Sequence, residues 1–290
     1  MKKYLKLIRI KHWLKNGLVF LPIFFSLNIL NVPLLINCFL AFFVFSITSS
    51  IVYIYNDMND IEKDKKHPIK KLRPLASGAI SLKAACYTMV LFVIMDIVLM
   101  SILYLNTSNL FVFVIPIVYL VLNILYSKGL KNIPIIDVVI LVSGYILRVV
   151  YGGIVTDISV SKYLYLMIIF GAFFLGFGKR RNEIIQNGKE SRKSLEKYNK
   201  EFLDKNMYVS YALAVVSYTL WCVDPVTIAR IGNDYIFWTI PVLMIILQLY
   251  SLNIEADSDG DPMEVILSDK KILITGVIYL ILLVLIIYIV

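Results

Sequence analysis

The chain has 290 residues, 59% of them hydrophobic, and carries a formal net charge of +9. With a mean hydropathy of +0.79, it is too apolar for an ordinary soluble domain and reads as a polytopic membrane protein with room for about eight to ten spanning helices. Three isolated cysteines (Cys38, Cys86, Cys222) argue against a disulfide framework, and two histidines (His12, His67) supply no zinc cluster.

Nine apolar segments follow in chain order, at 17–30, 34–55, 84–105, 110–127, 135–155, 161–178, 206–223, 234–252 and 271–290. The first is short, carries Pro22 and is expected to extend back towards Trp13. No small-residue cleavage site follows it, so no cleavable signal peptide is expected. Lys and Arg number six before segment 1, seven in 56–83, two in 128–134, nine in 179–205 and two in 253–271. Those connections hold 26 of the 29 basic residues, leaving only Arg148, Lys162 and Arg230 elsewhere. Such alternation explains the positive charge by membrane orientation, without nucleic acid. It predicts an all-α bundle of nine transmembrane helices in one domain, residues 1–290. The protein is expected to be integral to the cell (inner) membrane. The N-terminus and a polar active site would face the cytoplasm, and the C-terminus the outside.

The connection 56–83 opens on Asn56, Asp57, Asp60 and Asp64. If the preceding helix continues outward, Asn56, Asp60 and Asp64 recur at i, i+4 and i+8 and share one face. Oxygen ligands on one face at a membrane edge suit Mg²⁺, which takes a few carboxylates and completes its shell with water and substrate phosphate. The alternative is a solvated acidic helix end, which the helix dipole mildly disfavours. Six bases share the stretch from Asn56 to Gly78: Lys63, Lys65, Lys66, Lys70, Lys71 and Arg73. These could be salt-bridged or serve only as inward-facing positive charge. Arg73 stands before Pro74, which biases its backbone away from helix and stiffens the turn, and its fork of donors fits phosphate.

Further along, Lys179, Arg180, Arg181 and Glu183 follow the sixth segment directly. The connection 253–271 carries five acids between Glu255 and Glu264, but their spacing does not make a calcium loop. Before segment 1, Arg9, His12, Lys15 and Asn16 flank Trp13, a pattern that also fits an interfacial anchor. Within the spans, Arg148 lies deep in segment 5 between Gly144 and Gly152, which clear its helix face for a ligand or a close helix. Intramembrane charge is costly and usually paired or functional. Asp96, at similar depth in segment 3, is the expected partner of Arg148.

Taken together these residues resemble the UbiA superfamily of intramembrane prenyltransferases. Asn56, Asp57, Asp60 and Asp64 match its Asn-Asp-x-x-Asp-x-x-x-Asp motif, and the nine-span topology covers the chain. Typical members carry a second Asp-rich motif between helices 6 and 7, where this sequence has Lys179, Arg180, Arg181 and Glu183. In that departure it is similar to one branch, the decaprenyl-phosphate phosphoribosyltransferases. The likeness continues at Arg9, His12-Trp13, Lys15-Asn16, His67-Pro68, Lys70, Arg73-Pro74, Tyr126-Ser127, Leu130-Lys131, Asp137, Leu147-Arg148 and Gly260-Asp261-Pro262.

The resemblance implies Mg²⁺-dependent transfer of 5-phosphoribose from phosphoribosyl diphosphate to a polyprenyl phosphate. Three phosphate-bearing groups then share the site, and Lys and Arg suit them better than a second acidic motif. On this reading Asp60, Asp64 and Arg73 are catalytic, and Asn56, Asp57, Asp60 and Asp64 hold Mg²⁺. Lys70 and Arg73 hold donor phosphate oxygens. Lys15, Lys131, Lys179 and Arg180 hold the 5-phosphate or the lipid phosphate. Asp137 hydrogen-bonds ribose, and Asn16, Asn56, Tyr126 and Arg148 complete the substrate contacts. The rival readings are a prenyltransferase with an aromatic or other small acceptor, and a membrane transporter. Oligomeric state has no signature in the sequence.

Overall fold

The computed structural model describes residues 2–66, 70–187, 193–255 and 262–290, and among them it contains helices and no strands. The long helices are α1 (Val32–Asn59), α2 (Leu82–Thr107), α3 (Phe111–Lys128), α4 (Ile136–Thr156), α5 (Lys162–Asn187), α6 (Lys200–Val223), α7 (Ile240–Glu255) and α8 (Lys270–Tyr288). Among the described residues eight helices are long and apolar enough to cross a membrane, α7 counting with the short turn before it. The chain is a multi-pass membrane protein. Many of its starts are legible locally. Asn31, Ser81, Asn199 and Asp269 each cap a helix by accepting from a backbone N–H of its first turn.

The first expected segment differs. Instead of one long α-helix, Ile10–Phe20 forms a 3-10 helix and Leu21–Phe25 a single α-turn, followed by Leu27 at a φ of 60°. Pro22 sits in the first turn of that short helix, where its missing N–H does no harm. Side-chain hydrogen bonds hold the 3-10 stretch against α1: Trp13 Nε1 donates to Ser50 Oγ at 3.0 Å, and Asn16 Nδ2 to Ser46 Oγ at 2.9 Å.

The chain forms two compact units. The first comprises residues 2–24, 28–128 and 147–158; the second comprises 25–27, 129–146 and 159–290. In the first, 67% of the apolar window of α1 is buried against 17% for α2 and for α3, so α1 is the central helix. Its core joins Val19, Ala41, Val44, Phe45 and Val52 to Met100, Leu103, Tyr119 and Tyr151. The buried hydroxyls of α1 find carbonyls nearby, as when Ser49 donates to the Ser46 carbonyl at 3.0 Å. In the second unit α5 packs along α6, around Phe174, Phe177, Leu203, Met207 and Tyr250. Outward faces stay apolar in both: Leu91, Ile94 and Val98 on α2, Ile274, Val277 and Ile281 on α8. Water would not tolerate such surfaces; hydrocarbon suits them.

Candidate active site

The acid-rich turn begins where α1 ends. Backbone bonds keep helical spacing through it, Asp60 N to the Asn56 carbonyl at 3.0 Å and Asp64 N to the Asp60 carbonyl at 2.8 Å. The helix nevertheless breaks at Asp60, with φ −100° and ψ 10°, and resumes as Ile61–Lys66. The side chains brought together are not the expected Asn56, Asp60 and Asp64. Asp57 and Asp64 turn inward, 2% and 3% exposed, and Arg73 Nη1 donates to both, to Asp57 Oδ1 at 3.1 Å and to Asp64 Oδ2 at 2.7 Å. Their spacing of seven explains this: positions i and i+7 lie only about 20° apart around a helix, closer than i and i+4. Asn56 faces elsewhere, its Oδ1 2.5 Å from Ser127 Oγ on α3. Asp60 is partly exposed and makes no ion pair among the described residues.

Arg73 is held by a turn of its own. Its N–H donates to the Lys70 carbonyl, Ser77 N to the Arg73 carbonyl and Ile80 N to the Pro74 carbonyl. Gly78 takes a φ of 72°, which a side chain would resist. Leu75 and Ile80 bury against Leu7 and Ile54, fixing the loop to the first unit. Arg9 joins from the N-terminal segment, its Nη2 donating to Asp57 Oδ1 at 2.6 Å. Lys70, Tyr126 and Lys15 are half-buried. Lys65 pairs with Glu62 at 2.7 Å on the exposed side of the turn.

Deeper in the first unit, Arg148 is 6% exposed, and its partner is not Asp96. Arg148 Nε donates to Asn16 Oδ1 at 2.7 Å and Nη2 lies 3.4 Å from the Tyr119 hydroxyl. Its guanidinium lies 5.3 Å from the Phe45 ring centre and 5.0 Å from that of Tyr119. Asp96 instead accepts from Thr48 on the facing helix at 2.7 Å. Equal depth in two helices did not put the two groups on facing sides. Gly152 makes room for backbone and not for a ligand: a Cβ there would stand 2.1 Å from the Val19 carbonyl oxygen. Asn16 and Arg148, 132 residues apart, are thus neighbours.

In the second unit Asp137 is fully buried and surrounded. Arg180 Nε lies 2.7 Å from its Oδ2, Tyr198 donates to Oδ1 at 2.8 Å and Ser194 to Oδ2 at 3.3 Å. Arg180, 1% exposed, also pairs with Glu183 at 2.6 Å. The Tyr198 oxygen accepts from Ile135 N at 2.5 Å, and burial pushes its phenol well above the ordinary range. Arg181 is bound to Asp204 at 2.5 Å and to the Ile254 carbonyl at 2.9 Å. Lys179 and Lys131 remain half-buried. Tyr198, Ser194 and Asp204 were not signalled as site residues by motif or periodicity, and Arg9 and Ser127, though part of the family likeness, were given no role. Only the spacing of seven between Asp57 and Asp64 carried a readable hint. His67, Pro68, Gly260 and Asp261 lie outside the described residues.

Among the described residues no three His, Cys, Asp or Glu side chains gather as a metal site. Mg²⁺ does not demand three, because it keeps several waters and borrows phosphate oxygens. The hard oxygens of Asp57 and Asp64 converging on one nitrogen, with Asp60 open beside them, fit such a donor set.

Membrane-length helices carrying a carboxylate–guanidinium cluster at a helix end define a polytopic membrane protein equipped for phosphorylated ligands. Residues 19–268 match the UbiA prenyltransferase family, and the chain belongs to that family. It is 32% identical over 98% of its length to the decaprenyl-phosphate phosphoribosyltransferase of Corynebacterium glutamicum, covering 86% of that protein. To the enzyme of the same name from Mycobacterium tuberculosis it is 31% identical, over 91% of this chain and 87% of that one. Among solved structures, a UbiA homolog from Archaeoglobus fulgidus bound to GPP and Mg²⁺ shares the fold, with a TM-score of 0.67 at 18% identity, over 98% of this chain and 99% of that one.

Proposed function

We propose that the protein is a polyprenyl-phosphate phosphoribosyltransferase, moving 5-phosphoribose from phosphoribosyl diphosphate to a lipid phosphate and releasing diphosphate. The observation that carries this reading is the reach of the similarity: the relatives of that name match through nearly the whole chain. The basic Lys179-Arg180-Arg181 run, where typical members of the family are acidic, supports it. The bond from ribose C1 to diphosphate oxygen breaks, and one from C1 to a lipid phosphate oxygen forms. That acceptor oxygen is already ionised at neutral pH, so the step needs no general base. This matches a cluster built of carboxylates and guanidiniums.

Asp57, Asp60 and Asp64 would hold Mg²⁺, which when bound neutralises charge growing on the leaving diphosphate, while Asn56, engaged by Ser127, braces α1 against α3. Arg73 and Lys70 bind donor phosphate oxygens. Lys15, Lys131 and Lys179 serve the 5-phosphate or the lipid phosphate. Arg180 and Asp137, each already engaged by buried partners, serve by fixing the segment that carries Lys131 and any ribose contact. Tyr126 completes the substrate contacts, and Arg148 and Asn16, buried against each other, brace the N-terminal segment behind them. The active groups face the cytoplasm in the inner membrane, as the clustering of Lys and Arg supports.

One assay tests the reading. Purified protein with Mg²⁺, polyprenyl phosphate and phosphoribosyl diphosphate should yield a phosphoribosylated lipid by mass spectrometry. Prenyl diphosphate with an aromatic acid should yield nothing. The reverse outcome would make the protein a prenyltransferase of the ordinary kind.

A further inference from the structure

Arg9 differs from the other described basic residues in its backbone. Its φ of 52° and ψ of 51° are left-handed, a conformation that residues with a Cβ adopt rarely and keep only where the surroundings over-determine it. Here they do. Leu7 and Ile8 are buried against Ile54, Leu75 and Ile80. Ser50 donates to the Ile8 carbonyl at 2.9 Å, and His12 N donates to the Arg9 carbonyl at 2.8 Å. The bend lays the side chain on α1, with its guanidinium 4.4 Å from the centre of the Tyr53 ring. Glycine would relieve the backbone but would remove the guanidinium.

Asp57 Oδ1 receives two guanidiniums, Arg9 at 2.6 Å and Arg73 at 3.1 Å. The Asp57 side chain is 2% exposed, whereas those of Arg9 and Arg73 are 22% and 28% exposed. The accessible side of this cluster is therefore cationic, with the acid beneath it. A guanidinium has five N–H donors in a planar fork, so each arginine keeps donors for a second anion while bound to Asp57. Two forks meeting on one oxygen, with Arg73 held also by Asp64 at 2.7 Å, are adjacent donors of the kind that two linked phosphates need.

We infer that Arg9 and Arg73, anchored by Asp57, form a paired-guanidinium clamp for the diphosphate of the donor. Arg9 is a substrate-binding residue, and Asp57 acts in the clamp as a positioning residue. The inference rests on the phosphoribosyl diphosphate reading, and free inorganic diphosphate carries the same recognition chemistry.

The test is calorimetric titration of the full chain in detergent with inorganic diphosphate and Mg²⁺, alongside donor and lipid KM values. Arg9→Gln should weaken diphosphate binding by roughly tenfold or more, the loss of a charge-assisted hydrogen bond. It should raise KM for the donor and leave KM for the lipid phosphate unchanged, a split that a merely structural role would not produce. Arg9→Lys, which keeps the charge but not the fork, should fall between, and it decides the matter alone if Arg9→Gln does not fold. Wild-type affinity in the folded variants would overturn the clamp while leaving the transferase reading intact. Wild-type protein that binds neither diphosphate nor phosphoribosyl diphosphate would overturn both.

Discussion

Two carboxylate–arginine clusters among the described residues are built in opposite ways. Around Asp57 the acids lie beneath and the arginines are a quarter open. Around Asp137 everything is closed: the acid is 0% exposed, Arg180 is 1% exposed, and Tyr198 and Ser194 fill the remaining acceptor positions. A charge that keeps one side open can exchange partners when an anion arrives. A charge with every side taken holds its loops together and has little to offer a ligand. Residue type alone therefore does not assign a role here, because both clusters contain Asp and Arg from polar connections beside spans.

That contrast can be broken by mutation. Arg180→Gln removes one partner of a fully buried pair and strands Asp137, so unfolding stability should fall by about 3–5 kcal/mol. Equilibrium unfolding in detergent measures this, and a loss below about 1 kcal/mol would mean the second cluster is not the closed scaffold it resembles. Asp60→Asn belongs to the open cluster. Its transfer rate should drop roughly a hundredfold or more with the unfolding midpoint unchanged, and full activity would remove Asp60 from metal binding. Tyr198→Phe deletes the donor to Asp137 and leaves Ile135 N without its acceptor, at a cost of about 2 kcal/mol and with donor KM unaffected. Lys65→Ala breaks only the exposed pair with Glu62, and both stability and activity should stay within about 0.5 kcal/mol of wild type.

Much of the architecture was readable before any coordinates, because crossing a membrane is a demand that each segment meets alone. Segments such as 84–105 and 110–127 correspond to α2 and α3 with boundaries moved by two residues or fewer. For the stretch from 17 to 30 hydropathy registers the apolar content but not the backbone path, a 3-10 helix that gives way to an α-turn at Leu21. In the candidate site the acidic motif was visible as a motif, yet the side chains that meet are Asp57 and Asp64, seven apart, while Asn56 turns to Ser127. The pairing proposed for Asp96 and Arg148 failed for a related reason: depth in the membrane follows from sequence position, but the direction a side chain faces depends on how helices rotate against each other.

By itself the sequence determined the membrane class, the polar connections and the presence of hard oxygen ligands beside phosphate-binding bases. All of these are properties of short stretches, set by hydrophobicity, charge and helical spacing. Only the tertiary structure decided which charged and polar groups meet. Arg9 and Asp57 are 48 residues apart and Asn16 and Arg148 are 132 apart, separations at which no periodicity survives. A partially buried charge pairs with whichever opposite or polar group packing brings within about 3 Å, and that packing depends on the whole unit in which the charge is folded.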